Sequence, residues 1–497
     1  MSHKPSRWKL WATKHSQTTE PPLREELFSS EQLQLHAMAM AAQHRIDPKR
    51  GPNHLLLRLD ENERILIGAY DLVTAAEAGG RHVSPTGEWL LDNFYLIEQQ
   101  IRATRLHLPR TYSRELPRLV NSDAAGFPRV YAIALELIAH SDGRVDAENV
   151  SQFVAAYEKV TSLTLGELWA VPIMLRLGLI ENLRRVSEHI ARRRRDRNLA
   201  GLWAKRFLEA IDEPVKVLQV LAEMAESNPP FTNQFVEEFC TGLEGQGPAL
   251  ATVHSWVRHR LEDQGLTREQ LQRSANQNQA ADQVSIGHCI GSLRYLNAMD
   301  WRQFVETMSG VEAILRDDPA GVYGSMDFLT RDRCRHAVEM VAHRSGEDES
   351  TVASRAIGLA KESMQKDGAI SRRAHVGFYL IDEGLPELEA VNRVPFSIRR
   401  SINRGIRKVP IVSYVGSMLV VTAATLLLLF IPARLTGWQD WRIWLLMLLG
   451  IVSASQMAVA MVNLLTNLLV GTRPLPRLDF SKGIPEESRT MAVVPTL

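Results

Sequence analysis

The chain has 497 residues, 45% of them hydrophobic and 23% charged, and its formal net charge is +1. This length allows about three domains, and the near-zero charge argues against a general nucleic-acid-binding protein, so we expect no nucleic-acid partner. The three cysteines provide no disulfide framework, which is typical of a reducing compartment.

Residues 1–54 are predicted to be a polar amino-terminal segment. Its first part, residues 1–22, contains basic residues but no apolar core of signal-peptide length, so nothing in it indicates export. We therefore expect this segment and the domain that follows it to stay in the cytoplasm.

Residues 55–392 are predicted to form a cytoplasmic α-helical domain, because apolar residues recur at helical spacing and strand-like alternation is nearly absent. Ser84 and Pro85 mark the start of one helix. A sub-boundary is expected near residue 230, where Asn and Pro interrupt the helical pattern. The Gln- and Asn-rich residues 270–284 fit either an exposed helix face or a loop.

Two polar groups in this domain have both a functional and a structural interpretation. His336, Glu339 and His343 share one helix face, with Cys334 at its edge, and such a set can bind zinc. A complete tetrahedral set is missing, so we interpret the group as a polar surface and predict no metal site. The arginine run at 192–195, with Arg197, follows an apolar-periodic helix, and we interpret it as a solvated carboxyl end whose cations offset the helix dipole. The alternative is that these cations dock lipid or a partner.

Two long uncharged runs, residues 411–431 and 443–470, predict two transmembrane helices. Their helices would be about 31 and 42 Å long, against a hydrocarbon core of about 30 Å, so the second must tilt or protrude. The basic juxtamembrane segment 393–410 precedes them, and residues 432–442 form the loop between them. Because cations near span ends tend to stay in the cytoplasm, both flanks are predicted to be cytoplasmic and the loop to be outside.

The juxtamembrane cations have two interpretations. They can bind anionic lipid headgroups of the bilayer, or they can serve only as a stop-transfer flank. The candidate headgroup contacts are Arg399, Arg400, Arg404, Arg407 and Lys408.

Residues 471–497 combine a linker that contains several prolines with an apolar run at 491–494. This run is typical of the first strand of another domain. A lone strand of about five residues cannot form a stable sheet, so we expect either that the chain is truncated or that its tail docks elsewhere. The expected fold class is mainly α, with a multi-helix cytoplasmic domain, a two-helix transmembrane hairpin and a short extended tail.

Several sequence blocks occur together in this chain. They are LDENERILIGAYDLV (59–73), SPTGEWLLDNFYLIEQQIR (84–102), SRELPRL (113–119), FPRVYAIALELIAHSDGRVD (127–146), LTLGELWAVPIMLRLGLIENLRR (163–185), DPAGVYGSMDFLTRDRCRHAVE (318–339) and PLPRLDFSKGIPEESRTMAVVPTL (474–497). Together and in this order, they resemble the amino-terminal region of bacterial cyclic β-1,2-glucan synthases. One departure is Cys334, where the family pattern leads us to expect an aromatic residue.

The resemblance implies properties that the residue pattern does not. In that family a helical cytoplasmic region precedes membrane spans, then a glycosyltransferase domain that uses UDP-glucose, further spans, and hydrolase and phosphorylase-like domains. It implies a multi-pass protein of the bacterial inner membrane with cytoplasmic termini, and a UDP-glucose donor and divalent cation in the full-length protein. The transferase domain of the family is the expected partner, and this chain itself is expected to hold no cofactor.

Certain polar and aromatic residues in these blocks are candidates for contact with that domain or for bridging helices. They are Trp89, Asp92, Asn93, Glu167, Trp169, Glu181, Asn182, Arg184, Asp327, Arg331 and Arg333. A structural role is favoured for each, and we interpret Trp89 as a core anchor.

The chain contains no D-x-D pair, although metal-dependent nucleotide-sugar transferases usually need closely spaced carboxylates to hold their cation. We therefore predict a non-catalytic scaffold and membrane anchor of a cyclic β-1,2-glucan synthase. The alternative is a stand-alone, membrane-anchored helical adaptor that recruits cytoplasmic partners. The oligomeric state stays open.

Overall fold

A computed structural model describes most of the chain. The described residues are 20–47, 51–52, 54–81, 83–121, 124–245, 250–265, 267–368, 370–397, 409–435, 441–469, 475–481, 483–486 and 489. They are mostly helical, which confirms the predicted fold class. They divide into two compact units, Met1–Gly310 and Val311–Leu497.

Helices build the described part of the first unit. They are α1 (Ser30–Gln43), α2 (His54–Ala78), α3 (Pro85–His107), α4 (Arg110–Glu115), α5 (Arg129–His140), α6 (Ala147–Glu158), α7 (Leu165–Glu209), α8 (Pro214–Ser227), α9 (Asn233–Gly242), α10 (Ala251–Asp263), α11 (Arg268–Ala298) and α12 (Trp301–Met308). Two short strands, β1 (Ile46–Asp47) and β2 (Arg118–Leu119), pair antiparallel.

Capping side chains fix where several of these helices begin. The Ser84 hydroxyl accepts a hydrogen bond from the Gly87 amide at 3.3 Å, and Pro85 is the first helical residue, as predicted for α3. The long helix α7 begins with a capping box between Thr164 and Glu167. These local signals can be read directly from the sequence.

Two hydrophobic clusters form the core of the first unit. The larger one packs α1–α3, α5, α6, α11 and α12 around the first part of α7. The smaller one joins the last part of α7 to α8, α9 and α10. Val217 and Met224 before residue 230, and Phe235 and Phe239 after it, belong to this same smaller cluster. The expected sub-boundary near 230 therefore lies inside one core, and the structure divides at 310 instead.

The arginine run at 192–195 lies in the middle of α7, which continues to Glu209. The predicted carboxyl end of a helix at this run is therefore wrong. The apolar pattern resumes with the buried Ala200, Trp203 and Phe207, and these pack in the smaller cluster. Residues 270–284, left open between helix and loop, belong to α11 and are largely exposed.

The second unit contains a helical body and a helix pair. Its helices are α13 (Gly310–Leu315), α14 (Phe328–Ser345), α15 (Glu349–Asp367), α16 (Val376–Ile381), α17 (Leu385–Val391), α18 (Pro410–Leu435) and α19 (Trp441–Leu469). Helices α13–α17 surround a hydrophobic cluster of their own. Gly346 ends α14 in the left-handed conformation, with φ at 74°, which residues with a Cβ rarely adopt.

Candidate membrane anchor and docking site

The apolar helices α18 and α19 pack against each other. Ala454, Ala458 and Val462 recur every four residues along α19 and are buried. The Tyr414 hydroxyl of α18 donates a hydrogen bond to the Asn463 side-chain oxygen of α19 at 2.5 Å. Small side chains let helix backbones approach closely in lipid, and interhelical hydrogen bonds add specificity, so this contact has the features of a transmembrane hairpin.

Both helices are long and apolar enough to cross a membrane. The qualifying stretches are Pro410–Leu428 and Met447–Leu468, of which 0% and 17% respectively is buried within the chain. A core helix of a soluble protein would be covered by its own domain. These uncovered apolar faces therefore fit a membrane protein.

The chain after α19 returns to the helices that precede the hairpin. Residues 475–481, here called the docking segment, form an antiparallel bridge between Leu478 and Met326. The Arg477 amide donates to the Thr330 hydroxyl oxygen at 3.0 Å. Two further backbone hydrogen bonds, of 2.8 and 2.9 Å, join the docking segment to the loop before α14. The docking segment is thus fixed on the start of α14.

Some of the predicted interdomain residues lie at this docking site. The Asp327 carboxylate caps α14 by accepting from the Thr330 amide at 2.9 Å, and the Asp327 amide donates to the Arg477 carbonyl oxygen at 2.9 Å. Arg331 and Arg333 are half-buried in the first turns of α14. The structure shows that this cluster receives a later segment of the same chain, and contact with another domain stays a prediction.

A buried ion-pair network holds the start of α14. The Glu312 carboxylate accepts hydrogen bonds from the fully buried Arg335 at 2.6 Å and from the Tyr323 hydroxyl at 2.8 Å. Burial and the adjacent Glu312 carboxylate raise the pKa of Tyr323, so its hydroxyl stays protonated and donates. Arg335 also donates to Asp332 at 3.1 Å. These buried contacts therefore hold in place the part of α14 on which the docking segment lies.

Two predictions fall outside the described residues. The candidate headgroup contacts Arg399, Arg400, Arg404, Arg407 and Lys408 lie there, and so does the apolar run at 491–494. Both stay predictions.

The predicted residues Glu181 and Arg184 belong to a buried network in the first unit. The Glu181 carboxylate accepts from Arg58 at 2.5 and 2.9 Å, from Arg184 at 2.7 Å and from Arg185 at 2.9 Å. Burial alone would raise the pKa of Glu181, but the charges of Arg58, Arg184 and Arg185 outweigh it and hold this pKa well below its usual range. Glu20 also pairs with Arg58 and Arg184. These residues bridge helices inside the unit.

Glu167 and Asn182 have similar internal partners. Both Glu167 carboxylate oxygens accept from the buried Arg129, at 2.5 and 2.6 Å. The Asn182 side chain accepts from the Leu23 amide at 2.8 Å and contacts the Cys289 sulfur at 3.4 Å. Of the two roles that the sequence left open, bridging between helices is the one that these contacts support.

The remaining candidates differ in exposure. Trp89 is 39% exposed, so its interpretation as a core anchor is wrong. The buried Phe94, on the next turn of α3, packs in the larger hydrophobic cluster instead. Asp92 is exposed and Trp169 is half-buried. Asn93 is buried and accepts from Arg294 at 3.1 Å. Contact of the exposed members with another domain stays a prediction.

The group around His336 is an ion pair with both ring nitrogens engaged. His336 Nδ1 lies 2.8 Å from Glu339, and its Nε2 lies 3.5 Å from Asp332. Hydrogen bonds to Asp332 and Glu339 raise the pKa of His336 to about 10, against the opposing effect of burial. A protonated imidazole has no lone pair for a metal. The structure therefore agrees with the interpretation as a polar surface.

Some contacts of the amino-terminal segment escaped sequence reasoning. Arg24 donates to the buried Asp282 at 2.9 Å, across 258 positions of the chain, and Arg193 pairs with the same carboxylate at 2.9 Å. Local charge spacing cannot reveal partners at such a distance in sequence. The available signal in the sequence was that Asp282 is the single acid of the polar residues 270–284.

Comparison with known proteins bears on the predicted resemblance. The cyclic β-(1,2)-glucan synthase NdvB of Rhizobium meliloti (strain 1021) is 29% identical to this chain over 451 residues, which is 90% of the chain. The predicted resemblance is therefore confirmed. The chain spans 16% of the length of that relative. No family model matches the chain.

Proposed function

We propose that this chain is the anchoring and scaffolding region of a membrane cyclic β-1,2-glucan synthase. Its two apolar helices hold the protein in the bacterial inner membrane, and its helical units position a transferase domain that uses UDP-glucose. The similarity to NdvB over most of the chain and the two uncovered apolar helices support this proposal.

The observation that carries the proposal is the docking segment. It is hydrogen-bonded to the start of α14, on the helical body that precedes the hairpin. Hydrogen bonds of about 3 Å cannot reach across a hydrocarbon core of about 30 Å. If α18 and α19 cross the bilayer, both flanks of the hairpin therefore lie on one side. The basic juxtamembrane segment favours the cytoplasmic side.

In this proposal, the sugar donor UDP-glucose and its divalent cation do not bind the residues of this chain. The chain lacks the D-x-D spacing that would hold a divalent cation on a nucleotide sugar. UDP-glucose and a divalent cation would bind a transferase domain that follows the docking segment. This chain by itself should therefore not turn over UDP-glucose.

A chimera tests the proposal. The region of NdvB that is similar to this chain is replaced by residues 1–497, and membranes are assayed for incorporation of glucose from UDP-glucose into cyclic glucan. We expect the chimera to synthesise glucan. Asp479→Pro, which removes the amide that donates to Ser325 at 2.8 Å, should lower synthesis at least ten-fold. Asp479→Ala keeps that amide and is the matched control.

Other outcomes contradict the proposal. A correctly inserted chimera without synthase activity would favour the stand-alone adaptor. Turnover of UDP-glucose by the isolated 497-residue chain would show that it is catalytic.

A further inference from the structure

Two helices and an extended segment meet at a cluster of histidine and carboxylate side chains in the first unit. His36, Glu136 and His140 each bring one ligand atom to within 4.8 Å of the others. Glu136 and His140 are one turn apart on α5, and His36 lies on α1. Residues 25–28 run along the end of α5, where the Glu25 amide donates to Ala139 at 3.1 Å. This contact brings the Glu25 side chain to His140, one member of the cluster.

Three of the distances between these side chains match the separation of ligand atoms around a metal ion. His36 Nε2 lies 3.0 Å from Glu136 Oε2. His140 Nε2 lies 3.6 Å from the same oxygen and 3.3 Å from Glu25 Oε2. Ligand atoms about 2.0–2.1 Å from a tetrahedral Zn²⁺ are separated from each other by about 3.3 Å. Each measured separation is within 0.3 Å of that value.

The hydrogen bonding of His140 prepares its Nε2 atom for a cation. Nδ1 of this ring lies 2.7 Å from the Glu26 carbonyl oxygen, which can only accept, so Nδ1 carries the proton. In the neutral ring, Nε2 then directs a lone pair at two carboxylates, and a cation bound between them would satisfy all three groups. Metal-binding histidines usually donate their other N–H to a carbonyl or carboxylate in this way.

The ring of His140 is also held in place by packing. It is 5% exposed and stacks on Phe28, with 3.9 Å between the ring centroids and 8° between the planes. The Phe28 amide donates to the His140 carbonyl oxygen at 3.2 Å. A ligand that is oriented before the metal binds loses little freedom on binding.

We propose that His36, Glu136 and His140, with Glu25 as the fourth ligand, form a structural Zn²⁺ site. Two carboxylates and two neutral imidazoles balance the charge of a divalent cation, and four protein ligands leave no position for a substrate, as in structural zinc sites. The group around His336 lacks these features, because both of its ring nitrogens are paired with carboxylates.

The site would fasten the segment before α1 to the first unit. That segment carries Glu20, which joins the Arg58 and Arg184 network, and Arg24, which pairs with Asp282. Removing the metal should loosen these contacts, and the segment should become more sensitive to proteases. This inference does not depend on the proposed function.

The test uses the full chain in mild detergent, stripped of metal and then titrated with Zn²⁺ by calorimetry and with Co²⁺ by visible absorption. We expect one equivalent to bind, with the absorption of four-coordinate Co²⁺. His36→Gln and Glu136→Gln, at partly exposed positions, should weaken binding at least ten-fold. His336→Gln is the matched control and should bind as the parent does. His36→Cys supplies a thiolate and should keep one Co²⁺ with changed absorption.

Two results would overturn the site. One is binding of much less than one equivalent by the parent chain, as expected if the cluster is only a protonated histidine–carboxylate pair. The other is an unchanged affinity in both His36→Gln and Glu136→Gln.

Discussion

At the scale of single residues, three buried carboxylates of this protein are paired inside the unit that contains them. Glu181, Glu167 and Glu312 are each buried, and each accepts hydrogen bonds from at least one arginine. A buried carboxylate is costly unless it is paired in this way. Their main contribution is therefore to fix how the helices of each unit fit together.

Removing one partner of such a network tests this role. Glu181→Gln leaves Arg58 and Arg184 buried without their full counter-charge, and we expect it to lower the free energy of unfolding by about 3–5 kcal/mol. Glu188→Gln removes a partly exposed partner of Arg184 and should cost less than about 1 kcal/mol. Urea unfolding of the full chain in detergent measures both. Equal effects would argue against a special role of Glu181.

His336 predicts a pH dependence of stability. Its pKa rises from 6.5 to about 10 through its hydrogen bonds to Asp332 and Glu339. The stabilisation is therefore fully present below pH 6.5 and is lost as the pH rises through about 10. His336→Gln should lower the melting temperature at pH 6, and the difference from the parent should vanish above about pH 10.

A matched variant checks that this effect belongs to His336. His343→Gln changes an exposed histidine of the same helix and should show no such pH-dependent difference. A His336→Gln effect that persists unchanged above pH 10 would contradict the assignment.

At the scale of elements, the hairpin depends on one face of α19. Ala458 is fully buried against α18, whereas Ala460, two residues on, is exposed. Leucine at 458 would force the helices apart, at a cost of about 1–3 kcal/mol. Leucine at 460 would lie on the exposed face of α19 and leave the packing of the two helices unchanged.

Cross-linking measures the separation of the two helices. The Tyr414 and Asn463 side chains are hydrogen-bonded, so a Tyr414→Cys and Asn463→Cys pair should react with a short bifunctional thiol reagent. Ala458→Leu should reduce the yield at least two-fold, and Ala460→Leu should leave it unchanged. Similar yields in the two variants would refute this packing.

At the scale of the whole molecule, the docking segment predicts how the chain is arranged across the membrane. Single cysteines at the exposed positions Ser354 and Ser481 should be protected from an impermeant maleimide in intact spheroplasts and react after lysis. Gly437→Cys, in the loop 432–442 predicted from the sequence, should react from outside. Labelling of Ser481→Cys but not Ser354→Cys in intact cells would show an odd number of crossings.

The native cysteines do not interfere with this measurement. Cys240, Cys289 and Cys334 are buried, and burial raises the pKa of Cys289 and of Cys334 to about 12. A maleimide reacts with the thiolate, which such sites scarcely contain near neutral pH. Labelling of the parent chain, which contains only these native cysteines, therefore measures the background of the experiment.

Local sequence patterns were sufficient to predict much of the fold. The start of α3 at Ser84 and Pro85 is encoded in a cap and a proline, whose effects extend only a few residues. The arginine run in α7 shows the limit of such reasoning. A charged stretch resembles a helix end, and only the packing of Trp203 and Phe207 in the smaller cluster shows that the helix continues.

The sequence by itself determined that this protein is helical and carries two apolar stretches of membrane-spanning length, because helical periodicity and hydropathy are properties of neighbouring residues. Only the tertiary structure decided that the docking segment joins α14, and that His36 meets Glu136 and His140. Those contacts connect residues about 100 or more positions apart, and their geometry depends on how whole helices pack.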